Sequence, residues 1–125
     1  MATYTAQQRY TAHSEDMPWQ CAPTPGISFK SLRFDPESGQ GAVLIHMTPN
    51  SVYPRHTAHD GLDVLVVDGE VLWDGQKVAR GGFIHLPPGT QSEPRTANGC
   101  VLYATFNGKV ENLHQGWNPR AAAGD

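Results

Sequence analysis

Tyr53-Pro54-Arg55-His56-Thr57-Ala58-His59-Asp60-Gly61-Leu62-Asp63 runs straight into Val64-Leu65-Val66-Val67-Asp68-Gly69. Asp60-Gly61 is a turn signal that divides a segment rich in imidazole and carboxylate from an apolar run. Residues 62–67 are apolar on both faces of an extended chain except at Asp63, as in a central strand covered on both sides. A second sheet or a second copy of the chain then has to cover the outer face. Asp68-Gly69 reads as a two-residue hairpin turn, because both central positions tolerate positive φ.

The same punctuation recurs outward from this stretch, at Pro25-Gly26, Pro49-Asn50, Asp74-Gly75, Gly81-Gly82, Pro87-Pro88-Gly89, Asn98-Gly99 and Asn107-Gly108. Short runs rich in β-branched and aromatic residues lie between, predicting strands at 27–34, 42–48, 62–67, 70–73, 83–86 and 100–106. Regular short strands with turn signals indicate an all-β sandwich or barrel. With 13 glycines and 10 prolines in 125 residues, the composition argues against a long helical bundle. A chain of this length has room for one domain with one core. Residues 1–16 are polar and without a clear period, a flexible arm or an edge strand. The domain proper is expected over 17–117, and the tail 118–125 is expected to fray. Trp73, Trp117, Phe83, Tyr103 and Phe106 read as core or dimer contacts, and Trp19 as a pin for the N-terminal segment.

A net charge of -3 without a basic stripe argues against nucleic acid. No apolar run approaches the roughly 20 residues that span a bilayer. The opening MATYTAQQRYTAHSEDMPW lacks the charged start and apolar centre of a signal peptide. Cys21 and Cys100 are too few for a disulfide scaffold, so the expectation is a cytoplasmic protein with two reduced thiols.

Chemistry concentrates around His56, His59, Asp60 and Asp63, which supply the N and O donors that iron, zinc, nickel or manganese accept. Asp63 shares a strand face with Leu65 and Val67, and a carboxylate on an apolar face must be paired, hydrogen-bonded or metal-bound. Its plainer role is to cap the loop 59–61 or to pair with Arg55. His56 could serve as a general base near neutral pH, with Asp63 orienting it and Ser92 and Thr90 donating to a carbonyl. Equally, His56 could simply bond a loop carbonyl.

Pro54, His56, Gly61, Asp63 and Gly69, followed by Gly81 and Pro87-Pro88-Gly89-Thr90, resemble the two cupin motifs. Pro18-Trp19, Pro25-Gly26, Lys30, Leu32 and Gly99-Cys100 extend the likeness to the cupin domain of the ChrR anti-sigma factor and its stand-alone relatives, over about residues 17 to 108. The resemblance implies a double-stranded β-helix, the jelly-roll barrel, with a small-molecule pocket inside. It also implies a metal held by three histidines and a glutamate, positions that fall here on His56, Ala58, Asp63 and Ser92. Only His56 is unchanged.

Three histidines could repair such a site: His59 through a local bulge, His46 from a neighbouring strand, or His85 from the strand before the second motif. The metal set is thus expected among His56, His59, Asp63, His46 and His85, or the barrel is metal-free with His56, Asp63 and Ser92 as its acid–base residues. The ChrR-like group includes relatives similar to acetylacetone dioxygenase, which cleaves β-dicarbonyls with non-haem iron. The expectation is a small-molecule cupin, acting on a carbonyl compound or only binding its ligand, and forming a homodimer.

Overall fold

The computed structural model describes residues 8–112. The expected tail 118–125, the contacts expected of Trp117 and the first seven residues of the expected arm lie outside them. After a 3-10 turn at Ser14–Asp16 the chain runs through β1 (Gln20–Cys21), β2 (Ile27–Phe34), β3 (Gly41–Met47), β4 (His56–Ala58) and β5 (Leu62–Trp73). It continues through β6 (Gln76–Ala79), β7 (Phe83–Leu86), β8 (Thr90–Ser92), β9 (Cys100–Phe106) and β10 (Val110–Asn112). No α-helix occurs among the described residues, and no helix is long and apolar enough to cross a membrane.

The strands form two antiparallel sheets. The large one runs β1-β2-β3-β9-β5-β6, with β7 also on β5, and the small one runs β10-β4-β8. Alternation along each strand sends one set of side chains inward. Ile27 and Phe29, Val43, Ile45 and Met47, Leu62, Val64 and Val66, and Leu102, Ala104 and Phe106 form one buried cluster. Met47, Leu102, Val64 and Val66 are sealed almost completely, each contributing about 1.5–3 kcal/mol by leaving water. Ala58, Tyr53 and Trp73 join the same cluster, so the two sheets close over one core as a jelly roll.

β5 departs from the expected pair of strands. Asp68-Gly69 is no hairpin turn, because Asp68 and Gly69 continue the ladder with Val101 and Cys100 of β9. The register slips between Val66 and Asp68, leaving Val67 as the extra residue of a β-bulge. Buried positions therefore switch from even numbers (Leu62, Val64, Val66) to odd ones (Val71, Trp73) within one strand. Gly69 has φ +75, and a Cβ there would run into the Gly99 carbonyl, so its freedom serves the bulge instead. The hairpin lies at Asp74-Gly75, with φ 50 and 84, joining β5 to β6. Both values are positive, as the favoured two-residue turn requires.

The outer face of β5 is open in the single chain, so of the two expected covers no second sheet supplies one. Leu65 and Val67 are 41% and 42% exposed and Phe83, on β7, is 63% exposed. Over β2 and β3 the same face is dressed by the arm. Tyr10 donates to the Leu32 carbonyl at 2.7 Å, and Lys30 Nζ donates to the Ser14 carbonyl at 2.6 Å while lying 4.5 Å over the Trp19 ring. Trp19 thus ties the arm down, and residues 8–16 form neither an edge strand nor a free tether.

Candidate functional site

His56 opens β4, and the antiparallel register sets it opposite Ser92 of β8. It is 3% exposed. Its Nδ1 lies 3.1 Å from the Pro54 carbonyl oxygen. A carbonyl only accepts, so Nδ1 carries the proton and Nε2 keeps a free lone pair in the neutral ring. Burial pushes the imidazole below its usual value of 6.5, outweighing the Pro54 bond and the Asp74 charge, which both raise it. His56 is therefore neutral at pH 7, with a basic nitrogen in a dry setting. The edge of Tyr53 meets its ring at 5.1 Å and Trp73 stands perpendicular at 6.5 Å. Burial also holds the Tyr53 phenol protonated, well above its ordinary value.

Two polar atoms beside this ring have no partner. Ser92 Oγ and Trp73 Nε1 are buried without a hydrogen bond. Such an atom typically costs about 1–3 kcal/mol, so two on residues that neighbour His56 mark a place prepared for something polar. Thr90, by contrast, spends its hydroxyl on the Pro87 carbonyl at 2.6 Å and is not free to donate inward.

His56 lines an apolar cavity of about 30 Å³ with Tyr53, Leu62, Val64, Trp73 and Phe106, room for one or two waters. A polar cleft of about 330 Å³ opens at the end of the small sheet, between Arg55, Gln91, Ser92 and Glu93 on one side and Leu72, Asp74 and Gly75 of the hairpin tip on the other. Ser92 belongs to both surroundings, as the partner of His56 in the ladder and as a wall of the cleft.

The other expected site residues lie elsewhere. Asp63 points to the outer face, because the inward positions of this part of β5 are Leu62, Val64 and Val66. It pairs there with His85 Nδ1 at 2.6 Å, both side chains being partly exposed. Asp63 neither reaches His56 nor pairs with Arg55. His46 alternates outward on β3 and meets the Trp19 ring at a tilt, centroids 5.7 Å apart. His59 follows the last residue of β4 and is exposed, so no bulge carries it inward. The structure thus splits the expected set into two pairs, His56 with Ser92 in the interior and Asp63 with His85 on the outer face, and leaves His46 and His59 apart from both. It adds Trp73, which had read as plain core, and Arg55, which had read only as a mate for Asp63.

The residues do not fit the metal that the resemblance implies. Ala58 is buried where an imidazole would be needed, Leu62 faces inward in place of a carboxylate, and Ser92 replaces the last histidine. Among the described residues no three His, Cys, Asp or Glu side chains stand close enough to hold an ion.

Cys100 is buried at the start of β9 and Cys21 is exposed, both as free thiols. Burial raises the Cys100 thiol to about 11, so it is an inert packing residue.

No curated protein matches the chain in sequence. Solved structures share its fold. A candidate acetylacetone dioxygenase of Methylibium petroleiphilum PM1 superposes with a TM-score of 0.83 over 100% of both chains, at 16% identity. The acetylacetone dioxygenase of Acinetobacter johnsonii gives 0.75 over 98% of this chain and 94% of its own, at 14% identity. A polyketide cyclase of Streptomyces resistomycificus gives 0.65 over 94% of each chain, at 18% identity. At such identities the likeness establishes the fold alone. Residues 7–111 match the ChrR cupin-like domain family, and the chain belongs to that family.

Proposed function

We propose that this cupin is an acid–base enzyme acting on a small enolisable carbonyl compound, with His56 as its base and no metal in the step. The observation that carries this reading is the pairing of a neutral, buried His56, its Nε2 left basic by the Nδ1 bond to Pro54, with the orphaned hydroxyl of Ser92 opposite. The proton moves from the carbon beside the carbonyl to Nε2. The C–H electron pair passes into the carbonyl as an enolate, whose oxygen charge the Ser92 O–H and Trp73 Nε1–H can receive. Return of the proton to either carbon end completes an exchange or an isomerisation. A cavity of about 30 Å³ admits only the reacting end of the compound, whose body would occupy the cleft. Two of the structural relatives, an acetylacetone dioxygenase and a polyketide cyclase, are named for compounds rich in carbonyls, which agrees with this class.

The test is α-proton exchange of small ketones and β-diketones in D₂O, followed by ¹H NMR with chelator present. Exchange above the buffer rate, reduced about 100-fold in His56→Gln, supports the reading. Exchange that His56→Gln leaves intact overturns it, as does turnover that requires added iron and consumes oxygen. Saturable binding with no exchange leaves a ligand carrier or sensor instead.

We also read the exposed outer face of β5 and β7 as the contact of a homodimer. Its charged groups, Asp63 and His85, satisfy each other, so the apolar centre of Leu65, Val67 and Phe83 demands no oppositely charged partner. One such patch can meet its own copy across a two-fold axis. Sedimentation showing a concentration-dependent dimer that Phe83→Ser abolishes would support this; a monomer at high concentration would rule it out.

A further inference from the structure

The cleft beside Ser92 holds an arginine that no ion pair engages. Its wall holds two arginines and two carboxylates. Arg95 lies 3.7 Å from Glu93, whereas no hydrogen bond or ion pair holds Arg55 among the described residues. Asp74 stands across the cleft on the hairpin tip and acts electrostatically on His56. A guanidinium left free at the rim is a ready two-pronged receptor for a planar carboxylate. The second observation is independent of this charge: Ser92, 3% exposed, lines the same cleft and carries a buried hydroxyl without a hydrogen bond.

We infer that the cleft is a carboxylate subsite, in which Arg55 receives the acid group of a small keto acid while its carbonyl end reaches Ser92 and His56. The substrate class is then narrower than carbonyl compounds at large: β-keto acids and their short analogues, in preference to neutral diketones and esters. This rests on the reading of His56 and Ser92 as the reacting pair, but its mark is affinity rather than turnover. Asp74 disfavours a second negative charge, so a monoacid suits the cleft better than a diacid or a phosphate ester.

The experiment compares acetoacetate with methyl acetoacetate, which keeps the same enolisable carbonyl and lacks the charge. Both are titrated by NMR into the whole chain and into Arg55→Gln, Arg55→Lys and His56→Gln. The expected result is that acetoacetate binds at least about tenfold more tightly than the ester. Arg55→Gln should erase that preference and Arg55→Lys should restore part of it. His56→Gln should keep the preference, which separates the subsite from the catalytic reading. Equal binding of acid and ester overturns the inference, as does a preference that survives in Arg55→Gln or no saturable binding of acetoacetate. Displacement of acetoacetate by equimolar inorganic phosphate overturns it too, since the cleft would then take anions at large. A carboxylate preference without proton exchange would sink the proposed chemistry and leave the subsite standing; exchange without preference would do the reverse.

Discussion

His56 and His85 are built in opposite ways. His85 meets a carboxylate, Asp63, at 2.6 Å across the β5–β7 ladder, the arrangement that in outline resembles a catalytic dyad. Yet the pair lies on the outer face beside Leu65 and Phe83 with its side chains 59% and 37% exposed, and an exposed pair is worth about 0–1 kcal/mol. His56 has a backbone carbonyl for its partner and is nearly sealed from water. Its neighbours Ser92 and Trp73 each bury a donor without an acceptor. The lesson is that water exclusion and unfilled hydrogen bonds mark the reactive imidazole here, rather than a neighbouring carboxylate. One face of β5 decides which histidine is which.

The largest effect should come from breaking the bulge that lets β5 serve the interior on both sides of Val67. Gly69→Val puts a branched Cβ against the Gly99 carbonyl at φ +75. The cost should be roughly 3 kcal/mol or more in urea unfolding. Gly75→Ala at φ +84 meets nothing within 4 Å and should cost only about 1 kcal/mol. Comparable losses for the two would remove the bulge from the account. Next in size is the contrast of the histidines themselves. His56→Ala should destabilise by about 2–4 kcal/mol by emptying a core site. His85→Ala should stay within about 1 kcal/mol. A larger loss for His85 in the same denaturation series would invert the comparison.

Much of the fold was legible because turn chemistry is local. The strands at 27–34, 83–86 and 100–106 end where Gly and Pro end them. The site was less legible, for physical reasons that particular residues show. Residues 62–67 are apolar on both faces, so alternation alone put Asp63 opposite Leu62 and Val64 without saying which set points inward. Reading Asp63 at the place of a family ligand then drew it to the wrong side. β4 and β8 have three residues each, too short for any period to announce. The ladder that sets His56 against Ser92 is a long-range pairing that no window of sequence contains. Trp73 was visible as an aromatic, but that its Nε1 would be left without a partner depends on the finished packing.

A subtler mark of the buried imidazole is pH. Burial holds folded His56 below its usual 6.5, so over the interval beneath that value the unfolded chain binds a proton that the folded chain refuses. Stability is then full above pH 6.5. It declines as the pH falls toward the lowered folded value, and the slope from this residue ends once both states are charged. Unfolding free energy measured from pH 8 down to pH 5 should therefore fall less steeply in His56→Gln than in the parent. Parallel curves for His56→Gln and the parent would mean that water reaches the ring.

The smallest change in stability should accompany one of the largest changes in chemistry. Ser92→Ala removes a hydroxyl that makes no hydrogen bond at a position 3% exposed. Deleting a buried, unsatisfied polar atom relieves its desolvation cost, so the variant should be within about 0.5 kcal/mol of the parent or slightly more stable. If that hydroxyl waits for an enolate oxygen, α-proton exchange should drop by roughly 10- to 100-fold in the same variant. A residue kept for packing would show the opposite pattern, with stability lost and exchange unmoved. A stability gain joined to a loss of exchange is the trade expected where a site is held ready for a ligand at the expense of the fold. It would place the unfilled hydrogen bond of Ser92 on the same side of the comparison as His56, with nothing equivalent on the outer face of β5.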